Sequence, residues 1–263
     1  MRRQEQLPLK IESQGELPSE VFEMVRSSLP RHLIRKSLDV LWQSINQHHQ
    51  EVDALLSSRL FIGIPLCLKN SGKEYVELFF WANECYKSSI MLAIQGYYNA
   101  AYSQLRTLLE LALLIVYFKD HQIEHQWWLA DGNYKPPQVP ELLGDYCARI
   151  KALDRFKISK GSRKGSNELL NDLKKEYKIL CSFVHGRYTQ SRDPSTMDYH
   201  REIMSPYLRN CRKISQLINT LLVAFFDIYN LLDEHFQSDQ NDLESIQLFP
   251  KKYVKLLRAN SQQ

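Results

Sequence analysis

Twenty-three residues, GYYNAAYSQLRTLLELALLIVYF (Gly96–Phe118), limit what the rest of the chain can fold into. They form the most apolar part of the sequence, yet Arg106 and Glu110 stand four residues apart in their middle. On a helix that spacing puts both side chains on one face, one turn apart. Asn99, Tyr102, Arg106 and Glu110 then make a polar stripe on a helix otherwise built of Leu, Ile and Val. A helix that is apolar nearly all round belongs in a core, so the two charges are expected inside it or lining a cleft. A lone buried charge is costly, which favours pairing Arg106 with Glu110 or with a third group.

With only nine glycines and ten prolines in 263 residues, the chain has little punctuation for a many-stranded fold. The expectation is an all-α fold, a bundle of long antiparallel helices. The five cysteines, at 67, 85, 147, 181 and 211, include no CxxC pair, which fits free thiols in a reducing cytoplasm better than disulfides or a zinc site. The N-terminus has two arginines but no apolar run of signal-peptide length after them. Leu111–Phe118 is an eight-residue apolar run, well short of the roughly 20 residues that cross a bilayer. A cytoplasmic protein with no membrane segment, no metal and no cofactor is expected.

Four regions follow in order: an irregular arm over 1–17, N-terminal helices over 18–70, a bundle core over 71–236 and an amphipathic tail over 237–263. In the second region Ile34, Leu38, Leu41, Ile45, His48, Val52 and Leu55 recur at steps of four and three, a heptad-like seam suited to bundle packing or to a homodimer. A helix over about Glu74–Gln95 should bury Tyr75, Leu78, Phe79, Ala82, Tyr86 and Ile90, and Gly96 either breaks it or allows close packing within one continuous helix. Another helix is expected over about Pro140–Phe156, then a flexible loop, KISKGSRKGSNE. Asn167 is placed as the cap of the next helix, whose core stripe runs from Leu169 to Val184 and which ends at His185-Gly186. The longest helical pattern covers Met197–Phe236, with Pro206 as the start of a fresh segment inside it.

His185 is the first candidate for chemistry. Its ordinary pKa, about 6.5, suits proton transfer near neutral pH. Lys174, Lys178 and Cys181 share its flank and Arg187 follows it. From Arg149 to Arg192 there are twelve Lys or Arg against four Asp or Glu, an electrostatic footprint suited to RNA or another polyanion. Lys160, Arg163 and Lys164 in the loop belong to that footprint. A histidine in a last helical turn is also favoured simply because its charged form meets the negative end of the dipole. A Cys181–His185 nucleophile dyad has no other acyl-transfer feature beside it. His121 and His125 have an HxxxH spacing without the HExxH arrangement or an evident third ligand, so they read as a solvated helix end.

YKILCSFVHG (177–186) resembles the end of the third long helix of HEPN domains, all-α proteins of prokaryotic toxin–antitoxin, CRISPR-associated and antiviral systems. The resemblance implies a metal-independent endoribonuclease completed across a dimer, with His185 handling a proton while a cation stabilises charge on the phosphate. The family's arginine should stand four to six residues before the histidine, where this chain has Ile179, Leu180 and Cys181. Either the fold is used without cleavage, or Arg106, with Glu110 beside it, supplies the cation. The two motifs together are also similar to a group of uncharacterised bacterial proteins with an Arg-x-x-x-Glu helix and a later Val-His-Gly helix end. The resemblance further implies RNA and a protein partner, such as an antitoxin or an effector complex. The alternative is a non-catalytic RNA- or protein-binding module that uses the basic 149–192 side.

Overall fold

The computed structural model describes residues 31–56, 76–131, 133–146, 164–185 and 198–226. Among them there is no strand, and the all-α expectation holds. The elements are α1 (Arg31–Leu56), α2 (Val76–Ile94), α3 (Tyr98–Asp120), α4 (Gln122–Ala130), α5 (Val139–Glu141), α6 (Lys164–Val184) and α7 (Arg201–Phe226). A π-helical turn, Leu142–Tyr146, continues directly from α5.

Helix α3 is the centre of the bundle. It packs along most of α2 and against α6 and α7. Its buried residues include Tyr98, Tyr102, Leu105, Leu108, Leu109, Ala112, Ile115, Val116 and Phe118, so nearly every face is covered. By length and hydropathy alone α3 could cross a bilayer, but 67% of its apolar window is buried inside the bundle. Burial against three partner helices accounts for its composition.

Gly96 makes a break and not a continuous helix. Its φ is +84°, the left-handed region that an L side chain rarely adopts. The Gly96 N–H donates to the Ala93 carbonyl at 3.0 Å and the Tyr97 N–H to the Leu92 carbonyl at 2.8 Å. These two bonds are the Schellman pattern that closes a helix C-terminus on a glycine. A Cβ there would stand 3.1 Å from the Asp198 carbonyl oxygen and 3.1 Å from Val40 Cγ1, so close approach favours glycine a second time.

Helix α1 departs from the expected seam. Val40, Ser44, His48, Val52 and Leu55 face inward, whereas Leu38 (59% exposed), Trp42 (58%) and Ile45 (39%) face out. The helix kinks at His48, where φ −134° and ψ 17° leave the helical region, and the inward positions continue past it at steps of four and three. His48 itself is buried, with Nδ1 2.8 Å from Glu51 Oε2 and Nε2 3.1 Å from the Tyr199 hydroxyl. Val52 and Leu55 join the same core as α2 and α3, and the Tyr86 hydroxyl donates to the Leu55 carbonyl at 2.9 Å. α1 is thus part of the bundle.

Three other boundaries move. Helix α6 begins at Lys164, so Asn167 lies inside it and is not its cap. Pro206 sits within a continuous α7 and starts no new segment. The helix expected over 140–156 appears, within the described residues, as α5 and its π-helical turn. Of the loop expected over 157–168, residues 164–168 are instead the first turn of α6, while 157–163, the 1–17 arm and the 237–263 tail lie outside the described residues.

Candidate functional site

Helices α3 and α6 run antiparallel, and two side-chain contacts fix their register. Tyr102 stacks on Phe183 with ring centroids 3.6 Å apart and planes 8° apart. One turn further along α3, Arg106 reaches Tyr177, its guanidinium carbon 5.7 Å from the ring centre. Tyr102 was expected in the polar stripe. It is wholly buried, its ring in the core and its hydroxyl accepting a bond from Asn210 Nδ2 at 3.4 Å.

Arg106 and Glu110 do pair, as the four-residue spacing implies. Arg106 Nε donates to Glu110 Oε1 at 2.8 Å. Tyr177 is the third member, reached across the helix contact. Its hydroxyl lies 3.5 Å from Arg106 Nη2 as acceptor and 3.4 Å from Glu110 Oε1 as donor. The pair is half-buried, the Arg106 and Glu110 side chains being 26% and 31% exposed. With Leu114, Pro137, Gln138, Val139 and Leu142, these residues line a cleft of about 330 Å³ between α3, α6 and the segment leading into α5.

The electrostatics of the cleft follow from its burial and its charges. Burial pushes the Tyr177 hydroxyl up to about 12, helped by the Cys181 thiol that hydrogen-bonds it and by the Glu110 carboxylate, and opposed by Arg106. For Arg106, burial works against the charged form, but the Glu110 carboxylate and its hydrogen bond outweigh burial and hold the guanidinium pKa above its ordinary value. The cleft therefore keeps a fixed cation beside Glu110 and a neutral phenol at physiological pH.

His185 stands elsewhere. It is exposed, in the turn that closes α6, where its backbone N–H donates to the Cys181 carbonyl at 3.0 Å. Tyr177, which Arg106 reaches, lies eight residues before His185, or about 12 Å along the axis and about 80° around it. Among the described residues the His185 ring makes no hydrogen bond. Within one chain the structure brings Arg106 and Glu110 together and does not bring His185 to them.

A second feature runs along the outside of α6. Asn171, Lys174, Lys175, Lys178 and His185 are all exposed. At about 100° per residue they share one face of the helix. Lys175 was not singled out from the sequence, although its position one turn before Lys178 marks it. None of the three lysines pairs with a carboxylate among the described residues. Glu176, the acidic residue between them, is turned away, 2% exposed and paired with Lys213 of α7. Lys164 opens α6, while Lys160, Arg163 and Arg187 lie outside the described residues.

The remaining candidates are absorbed by packing. His121 lies between α3 and α4, its ring stacked on Tyr117 at 4.1 Å and its Nδ1 3.0 Å from the Tyr117 carbonyl oxygen. His125, expected at a solvated helix end, is 2% exposed and packs against Phe118 and Trp128. No group of three His, Cys, Asp or Glu is placed to hold a metal ion among the described residues. Compared with protein-family models, curated proteins and solved structures, the chain matches none, so the site is read from its own geometry.

Proposed function

We propose that the chain is a HEPN-like helical module of a bacterial defence or toxin-type system, working in the cytoplasm, that binds RNA through the basic face of α6. The observation that carries this reading is the row of exposed Lys174, Lys175, Lys178 and His185, with the nearest acid, Glu176, turned into the core. Ammonium groups with no carboxylate partner can neutralise phosphates and release their condensed counterions, which drives sequence-independent RNA binding. Arg187 and the basic residues at 160, 163 and 164 add charge of the same sign. A protein partner, whether an antitoxin, an effector complex or a second copy of the chain, belongs to the same reading.

The exposure of His185 at the end of that face favours a second reading, metal-independent cleavage of the bound RNA. His185 would move the proton, and Arg106 of a second copy would stabilise charge on the phosphate. Because Arg106 is held by Glu110 and Tyr177 two turns away within one chain, cleavage requires a homodimer.

The test is single-stranded RNA binding by fluorescence anisotropy over a salt series. Affinity should fall steeply with salt, and replacing Lys174, Lys175 and Lys178 together by Gln should reduce the slope by about 2, at roughly 0.7 per phosphate contact. Salt-insensitive binding, or an unchanged slope in the variant, overturns the reading. Cleavage by the wild type that survives His185→Ala removes the second reading.

A further inference from the structure

We infer that the cleft between α3, α6 and the Pro137–Leu142 segment is a nucleobase site with a preference for guanine. For the source of that base, the inference rests on the RNA-binding reading. The cleft opens beside the lysine face: Tyr177, which lines it, lies about 60° around α6 from Lys174. A strand on the lysine face that crosses Lys174 therefore passes its rim and can turn one unstacked base inward, the way single strands are read by sequence.

The hydrogen-bonding groups in the cleft form an incomplete set. Glu110 Oε1 takes the bonds from Arg106 Nε and Tyr177, and Oε2 receives no donor among the described residues. Arg106 spends Nε on Glu110 and Nη2 on Tyr177, and Nη1 has no acceptor among the described residues. A vacant carboxylate oxygen thus stands beside a vacant guanidinium nitrogen. Guanine presents two adjacent donors, N1–H and N2–H, next to the O6 acceptor. The vacant Oε2, with two lone pairs, can accept from both donors while Arg106 Nη1 gives to O6. Adenine, cytosine and uracil each lack one member of that donor–donor–acceptor row. The flat faces of a base would meet Leu114, Pro137, Val139, Leu142 and the Tyr177 ring. At about 330 Å³ the cleft is at the small end of ligand sites, roughly 300–1,000 Å³, and suits one nucleotide.

The experiment compares an oligo(A) RNA with the same RNA carrying one central guanine, and GMP with AMP by calorimetry, on the full chain. The wild type should favour the guanine RNA by about tenfold, within the range of one good base contact. Glu110→Gln replaces the free acceptor by a donor, and the ratio should fall to near one, with thermal unfolding checked by circular dichroism. Equal binding of the two RNAs by the wild type, or a ratio that survives Glu110→Gln, overturns the inference. If neither RNA binds, the RNA-binding reading fails by itself. GMP bound over AMP and lost in Glu110→Gln would then keep the site as one for free nucleotide, and no preference between GMP and AMP would remove it as well.

Discussion

Arg106–Glu110 and Lys213–Glu176 are both ion pairs packed against α6, and they differ in where the carboxylate sits. Glu176 comes from α6 itself and is 2% exposed, met by the ammonium of Lys213 from α7, whose side chain is 43% exposed. Glu110 comes from α3 and is 31% exposed, facing a cleft together with the cation that partners it. The first pair closes a gap between two helices around a desolvated charge. The second leaves acceptor and donor capacity at the edge of an open volume. A charged pair in an apolar setting is therefore a tie or a site according to how much solvent its acid retains.

That contrast can be broken most directly at Lys213. Lys213→Ala strands a buried carboxylate and should cost about 3 kcal/mol, read from the urea midpoint. An unchanged midpoint would mean that Glu176 is not desolvated as described. Arg106→Ala should cost no more than about 1 kcal/mol, because Glu110 regains water through the cleft. A loss equal to that of Lys213→Ala would make Arg106 a tie as well and weaken its reading as a site. The smallest effect lies in alkali. Tyr177 holds its proton more tightly folded than unfolded, so its contribution is complete below pH 10 and is lost as pH rises through about 12. The buried Tyr98, also pushed up to about 12, and Tyr207, raised well above its ordinary value by burial, act in the same direction. Tyr177→Phe should make the stability decline above pH 10 measurably shallower, and an identical pH profile would place Tyr177 in water.

What could be read in advance was the local part of this arrangement. The apolar periodicity of α2, α3, α6 and α7 marks their existence and most of their buried residues, and the four-residue spacing marks the Arg106–Glu110 pair, while its place inside the core or at a cleft stays open. Tyr177 falls inside the Leu169–Val184 stripe with nothing to mark it for Arg106, because nothing local fixes the register of two helices whose contacting residues stand 71 apart in sequence. Tyr102 was misassigned for the opposite reason: its hydroxyl counted as polar, while its ring outweighs it in the stack with Phe183. On α1 a serine, Ser44, occupies an inward position and Trp42 an outward one, so hydropathy pointed the wrong way, and the kink at His48 leaves no mark in a spacing pattern. The lysine face of α6 was visible in part, with Lys174 and Lys178 named, because a run of lysines at helical spacing needs no partner to be recognised.

The turn at Gly96 has a consequence for inheritance. A side chain there meets the Asp198 backbone as well as Val40 Cγ1, and its φ of +84° disfavours any L residue. A smaller residue at position 40 could relieve one of those conflicts. No substitution at 198 relieves the other, since every residue carries the same carbonyl. Position 96 can therefore change only if the chain entering α7 is displaced, and descendants of this sequence that keep the bundle should keep the glycine while position 40 drifts.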